Sequence, residues 1–159
     1  MNRSTLAATS LAVAAAAGTG SIASPRRVSS WYSRLRKPPY QPPSAAFPVA
    51  WTTLYGDIAA SSAVAINRFR ATGQHDKANR YIAALSVNLF LNAGWTWLFF
   101  RYHKLGASAL GAAALAASSA DLVRRTAQAD TRAGLALLPY PVWCSFATAL
   151  STHIWRLNR

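Results

Sequence analysis

Two asparagines and several large aromatic side chains occupy an otherwise apolar stretch, NLFLNAGWTWLFF, at residues 88–100. The residues that recur at the three- and four-residue spacing of one α-helical face are Asn88, Asn92, Trp95 and Phe99. A buried amide without a hydrogen-bond partner costs roughly 2–7 kcal/mol. This face is therefore predicted to contact protein rather than lipid, where its amides can donate and accept hydrogen bonds.

Two other segments carry aromatic faces at the same helical spacing. The residues on them are Phe47, Trp51 and Tyr55 in the first segment, and Trp143, Ala147 and Leu150 in the second. Three such faces, joined by Tyr32 from a loop, are predicted to line an apolar ligand pocket with a few hydrogen-bonding groups. Each face taken alone is explained as well by helix packing through interhelical hydrogen bonds, or by tryptophans at the membrane interface.

Five apolar segments are long enough to position these faces, since a spanning helix needs about 20 mostly apolar residues. They cover residues 4–24, 47–67, 81–100, 105–123 and 133–155. Backbone groups in lipid must be paired within their own segment, which requires helices rather than open strands. The predicted fold is an all-α membrane protein, a single domain over residues 1–159 with five transmembrane helices and a proline-rich first loop.

The first segment and the first loop each allow more than one interpretation. Residues 4–24 are interpreted as a membrane helix, with a cleaved signal peptide or an organellar transit sequence as the alternatives. The loop contains KPPYQPP at residues 37–43, whose prolines forbid a regular helix and favour an extended path. It is predicted to form a rigid cap on one membrane face or a lid over a cavity between the helices.

The formal net charge of +13 does not by itself indicate nucleic-acid binding. The basic residues cluster in the connections between apolar segments, where they flank membrane spans. Alternate connections carry eight and nine Lys or Arg residues, so the positive-inside rule favours neither orientation. The expected partner is the lipid bilayer, and no nucleic acid.

The residues that usually perform catalysis or bind metals are scarce and scattered. Cys144 is the only cysteine, the three histidines are far apart, and the chain has four aspartates and no glutamate. No acid/base pair, zinc cluster or phosphate loop appears, so no catalytic or metal-binding residues are predicted. Asp57 falls near the middle of its segment and is a candidate functional residue without an assigned role.

Four motifs resemble one known family. WYSRLRKPPYQPP, FPVAWTTLY, NLFLNAGWTWLFF and LPYPVWCSFATAL followed by IWRLN are similar, in that order, to the translocator protein family. This family is also called the tryptophan-rich sensory protein, TspO/MBR or peripheral-type benzodiazepine receptor family. The similarity extends from about residue 20 to residue 158 and supports residues 4–24 as the first of five helices.

The resemblance implies a five-helix membrane receptor or carrier, often a homodimer, that binds porphyrins or other tetrapyrroles, sterols or benzodiazepine-type drugs. No obligatory cofactor is implied, although a porphyrin or haem-like ligand is expected. The family's pocket positions correspond to Trp51, Asn92, Trp95, Trp143, Ala147 and Leu150. The implied location is the mitochondrial outer membrane or another organelle membrane in a eukaryote, and the outer membrane in a bacterium.

Two other functions stay open at this point. Trp51 and Trp143 match a tryptophan pair that the family associates with porphyrin chemistry, so light-dependent porphyrin degradation is one alternative to a non-enzymatic role. A structural or interaction membrane protein is the other.

The sequence also departs from the family pattern. Asn88 replaces a glutamine, Asp57 stands where small or apolar residues are usual, and His153 lies near the tyrosine of a cholesterol motif, which weakens the expectation of cholesterol binding.

Overall fold

The computed structural model describes residues 2–23 and 29–159, and every regular element in this part of the chain is helical. The helices are α1 (Arg3–Ala23), α2 (Ser29–Arg34), α3 (Ala46–Ala71), α4 (His75–Thr96), α5 (Leu105–Ala129), α6 (Thr131–Ala136) and α7 (Pro139–Leu157). A π-helical turn, Trp97–Arg101, extends α4 without a break. The prediction of an all-α fold is confirmed.

The five long helices, α1, α3, α4, α5 and α7, pack as a bundle in which successive members run antiparallel. Thr5 near the start of α1 accepts a hydrogen bond from Arg70 at the end of α3. At the other end of the bundle, Gly106 at the start of α5 lies against the indole of Trp155 near the end of α7. One end therefore collects the last turns of α1, α4 and α7 and the first turns of α3 and α5.

Four helical segments are long and apolar enough to cross a membrane: Arg3–Ala23, His75–Arg101, Leu105–Ala129 and Thr131–Leu157. The fifth long helix, α3, has 26 residues but is not among these four. It carries Asp57 and a run of threonine and serine residues that lower its hydropathy. A membrane-spanning helical protein is thus supported, and the count of five spans stays a prediction.

The boundaries differ from the predicted ones at several places, since α3 ends at Ala71 rather than at residue 67 and α5 ends at Ala129 rather than at residue 123. The segment predicted at 81–100 begins earlier, at His75. The prediction covered only the apolar residues, whereas the helix also includes the charged residues that precede them. The predicted segment 133–155 is divided into α6 and α7, since Pro139 and Pro141 cannot donate backbone hydrogen bonds and start a new helix. Residue 24, the last of the predicted first helix and part of the possible cleavage site, lies outside the described residues.

The first helix is integrated into the bundle. The Thr9 hydroxyl donates a hydrogen bond of 2.9 Å to the carbonyl oxygen of Ala59 in α3, and Val13 and Ala16 belong to the main hydrophobic core. Near the other end of α1, Gly20 lies against Thr96 of α4. These contacts are those of a bundle helix, as the membrane-helix interpretation of this segment expects.

The short helix α6 packs against α5 at a position that tolerates no side chain. A Cβ atom on Gly134 would lie 2.6 Å from Cβ and 2.7 Å from Cα of Ala127. We expect Gly134→Ala to destabilise the protein by about 1–3 kcal/mol through overpacking, measured by thermal unfolding in detergent. Gly56→Ala is the matched control, because nothing lies within 4 Å of that position. Equal stability of the two variants would contradict this packing.

Asp130 is the N-cap of α6, and its carboxyl group makes the stability of the protein depend on pH. Its carboxylate accepts a hydrogen bond of 3.0 Å from the backbone N–H of Ala133 and lies 3.5 Å from Arg68. The Ala133 bond, aided by Arg68, holds the pKa of Asp130 below its ordinary value of 3.8. A carboxyl group whose pKa is lower in the folded state than in the unfolded state stabilises the protein at pH values above the unfolded-state pKa. This contribution is lost as the pH falls through the folded-state pKa.

We therefore expect the melting temperature to fall on acidification from pH 5 toward and below pH 3.8, and this fall to be smaller in Asp130→Asn. Asparagine is the suitable substitute because it retains an N-capping oxygen but has no carboxyl group to protonate. If the melting temperatures of the two proteins fell by the same amount over this pH range, Asp130 would make no such contribution.

Candidate functional site

A cavity of about 470 Å³ opens within the bundle at the end where α3 begins and α4 and α7 finish. Nine of the eleven predicted ligand-binding residues line it: Tyr32, Phe47, Trp51, Tyr55, Trp95, Phe99, Trp143, Ala147 and Leu150. The three aromatic faces recognised in the sequence thus converge on one space. That these residues bind a ligand stays a prediction. The geometry described below indicates which chemical groups such a ligand would need.

The aromatic side chains form a connected wall around the cavity. The rings of Trp51 and Tyr55 stack with their centroids 5.5 Å apart, and Trp95 lies 6.2 Å from Trp51. On the other side, the ring of Phe47 meets Trp143 edge-to-face at 5.9 Å. Such contacts hold each ring in place through its neighbours, so the cavity presents flat apolar surfaces that are already ordered.

Two polar atoms in this wall have no partner. The indole N–H groups of Trp95 and Trp143 are both buried, and neither has an acceptor among the described residues. A buried donor left unpaired costs about 1–3 kcal/mol. Both side chains line the cavity, whose described lining includes no charged residue. The cavity can therefore recognise a largely apolar molecule that supplies acceptors to these two donors.

Several lining residues were missed by the sequence analysis. They are Ala17, Gly20, Ser21, Ser44, Pro48, Thr52, Thr96, Phe100, Ser151 and Ile154. Ser151 and Ile154 continue the Ala147 face by one helical turn, so helical spacing was a sufficient signal for them. The contribution of α1 had no such signal, because its alanine-rich sequence shows no distinct face.

The π-helical turn brings Phe100 to the cavity. The Tyr102 backbone N–H donates to the carbonyl oxygen of Trp97 at 3.0 Å, five residues back along the chain. The wider turn shifts the residues that follow it relative to an α-helix. Phe99 and the adjacent Phe100 lie inside this turn and both line the cavity, with ring centroids 4.8 Å apart.

The proline-rich first loop is tied to the helix ends that surround the cavity. Arg36 and Asn158 exchange two hydrogen bonds of 2.9 Å between the Arg36 backbone and the Asn158 side chain. The Tyr40 hydroxyl lies 3.1 Å from Nδ1 of His153. Within the loop, Gln41 donates to the hydroxyl of Tyr32, whose pKa is raised by burial. Since Tyr32 lines the cavity, these contacts fit the predicted cap or lid.

Comparison with known proteins identifies the family. Residues 8–156 match the model of the TspO/MBR family. The chain belongs to this family. It is 35% identical to Protein CrtK of Rhodobacter capsulatus over 151 residues, covering 93% of this chain and 89% of that protein.

Two further relatives carry the names by which the family is known. The tryptophan-rich sensory protein of Cereibacter sphaeroides is 31% identical, with 92% of this chain and 87% of the relative covered. The human translocator protein is 27% identical, with 80% and 75% covered. Together with the apolar helices, these matches establish an integral membrane protein of the TspO/MBR family.

The other two predicted site residues of this TspO/MBR protein, Asn88 and Asn92, are not among the residues lining the cavity. Both are fully buried and belong to one chain of hydrogen bonds between helices. The Tyr55 hydroxyl donates to Oδ1 of Asn92 at 3.0 Å, and Nδ2 of Asn92 donates to the Tyr140 hydroxyl at 3.3 Å. That hydroxyl in turn donates to Oδ1 of Asn88 at 2.8 Å.

This chain of hydrogen bonds continues into α5. Nδ2 of Asn88 donates to the hydroxyls of Ser118 and Ser119 at 3.1 and 3.2 Å, and Ser119 donates to the Leu115 carbonyl oxygen. Four long helices, α3, α4, α5 and α7, are thereby connected. The alternative role of these asparagines, interhelical hydrogen bonding, is the one that their contacts support, and Tyr55 is the link from the network to the cavity.

The described His, Cys and Asp residues are scattered through the structure. In the part of the chain that the structure describes, no three His, Cys, Asp or Glu side chains are grouped to hold a metal ion. Asp57 is half-buried in α3 and accepts a 2.8 Å hydrogen bond from Ser61 one turn later. Neither residue lines the cavity, so the structure assigns Asp57 a local partner and no ligand.

We expect Asn92→Ala to lower the free energy of unfolding by about 1–2 kcal/mol, because it leaves the Tyr55 hydroxyl without its acceptor and removes one of the two hydrogen bonds of the Tyr140 hydroxyl. The measurement is thermal or chemical unfolding in detergent. Asn67→Ala is the matched control, since Nδ2 of Asn67 has no partner among the described residues and its removal breaks no hydrogen bond. Equal losses of stability in the two variants would contradict a structural role for the network.

Proposed function

We propose that this TspO/MBR protein is a membrane receptor or carrier whose cavity binds a tetrapyrrole. The observation that supports this most directly is the pair of unpaired indole N–H groups, from Trp95 and Trp143, in an aromatic cavity without charged lining residues. A tetrapyrrole offers flat π faces to the rings. It also offers nitrogen atoms and π electrons to the two donors.

The dimensions and surface of the cavity are consistent with this ligand class. Ligand sites usually occupy about 300–1,000 Å³ and combine apolar walls with a few polar groups, and this cavity is about 470 Å³. A sterol would fill the same volume, but it offers a single hydroxyl oxygen and no π face to Trp95 and Trp143. The chemistry of the wall thus favours a tetrapyrrole over a sterol.

The names of relatives agree with a sensing or carrying role. One is called a tryptophan-rich sensory protein and another a translocator protein. Trp51 and Trp143, the pair expected from the family resemblance, both line the cavity. Formation of a homodimer, the choice of membrane and light-dependent degradation of the ligand stay predictions.

The test is a titration of the purified protein in detergent with protoporphyrin IX, followed by the absorbance of the porphyrin. We expect saturable binding, and we expect Trp95→Phe and Trp143→Phe each to raise Kd about fivefold. Each substitution retains an aromatic ring but removes one donor, worth about 1 kcal/mol. Trp155→Phe is the control, because Trp155 does not line the cavity.

Absence of saturable binding to the wild type would overturn the proposal. Equal Kd values for the wild type and both cavity variants would show that the indole N–H groups are not ligand donors.

A further inference from the structure

The two ends of the bundle differ in charge once acidic residues are counted. The basic side chains described at the cavity end, here called the basic rim, are Arg34, Arg36, Lys37, Arg101, Lys104, Arg156 and Arg159. The described segments that form this end, residues 29–46, 101–104 and 156–159, contain no Asp or Glu. The rim is therefore not balanced by any acidic side chain of its own segments.

The opposite end has a similar number of basic residues but also three of the four aspartates. Arg124 and Arg125 each form a salt bridge of 2.6 Å with Asp121, and Arg68 lies 3.5 Å from Asp130. The salt bridges of the described residues all lie at this end. Counting basic residues alone hides this difference, because the two totals are almost equal.

The basic rim lies at the same end of the bundle as the cavity. Nζ of Lys37 lies 4.4 Å from the ring centroid of Tyr32, which lines the cavity. Arg101 and Arg156 lie in the last turns of the helical segments that supply Phe100 and Ile154 to the cavity. Uncompensated charges at the mouth of an apolar cleft raise the local concentration of anions there.

The described interior of the cavity offers no counter-ion to an anion. An ionised carboxylate in an apolar environment needs a paired cation or several hydrogen bonds, and the described lining residues include no basic side chain. A ligand with a carboxylate is therefore expected to place that group toward the end of the bundle that carries the basic rim.

From this charge distribution we infer that the basic rim binds the carboxylates of an amphipathic ligand whose apolar ring system fills the cavity. The inference rests on the proposed function and adds to it the ligand's orientation and a selectivity for free acids over esters. Lys37 is the main contact, because it is half-buried and already positioned against Tyr32. The remaining rim residues supply a field that attracts the anion.

The test compares protoporphyrin IX, which has two carboxylates, with its dimethyl ester, which has none. Both are titrated into the full-length protein in a non-ionic detergent at 50 and 500 mM NaCl. We expect the acid to bind more tightly than the ester and to lose affinity in high salt, because salt screens exposed charges. The ester should show no such dependence.

Variants locate the effect on the protein. We expect Lys37→Gln to weaken binding of the acid about threefold to tenfold at low salt and to leave binding of the ester unchanged. Lys37→Arg should restore binding of the acid. Lys77→Gln is the matched control, since Lys77 is exposed at the opposite end of the bundle, and it should change neither titration.

The outcomes separate this inference from the proposed function. If neither porphyrin binds, the proposed function is wrong and the inference falls with it. If both bind equally, without salt dependence and without an effect of Lys37→Gln, the cavity still binds porphyrins but the rim does not recognise carboxylates. The latter result would leave anionic lipid headgroups as the partner of the rim.

Discussion

The hydrogen bonds of two buried asparagines are the constraint on which this bundle depends. Apolar association between helices is weak in a lipid environment, so close packing and polar contacts must fix how the helices meet. Asn88 and Asn92 use both oxygen and nitrogen atoms in contacts with Tyr55, Tyr140 and the serines of α5. Because each amide has specific partners, the network fixes the rotation of α4 relative to α3, α5 and α7.

The position of the cavity follows from this arrangement. Asn88 and Asn92 lie on one face of α4. Trp95 and Phe99 follow them on the same face, closer to the end of the bundle, and line the cavity. Tyr55 belongs to both regions, since its ring stacks on Trp51 and its hydroxyl bonds to Asn92. The same tyrosine therefore orients a ring of the cavity wall and helps to hold two helices together.

Charge is arranged around the same cavity. The helices that surround it are uncharged along the lining, and the basic residues begin only where the helices end. At the opposite end, aspartates pair with arginines and Asp130 also caps α6. The protein thus combines a neutral aromatic cavity with basic residues at the same end of the bundle, and the proposed ligand, apolar over most of its surface and anionic at one edge, matches this arrangement.

Local sequence was sufficient for the helices and for the side chains that share a face. Apolar length predicted where long helices lie, although the prolines at 139 and 141 divide the last one and the polar residues of α3 leave it less apolar than the others. Helical spacing also grouped eight residues that line the cavity. These features depend on near neighbours in the chain, and the 3.6-residue period connects them directly to structure.

Partners distant in the chain were not predictable in this way. The hydrogen bonds of Asn92 and Asn88 to Tyr140 join residues 48 and 52 positions apart, so periodicity could indicate that the amides are buried but not what they contact. The π-helical turn that brings Phe100 to the cavity and the contribution of α1 to its wall also depend on how helices meet. The sequence by itself determined which residues share a helical face, because that depends on the helical period alone. The tertiary structure decided that Trp95 meets the cavity while Asn92 meets Tyr55 and Tyr140, because that choice depends on the registration of separate helices.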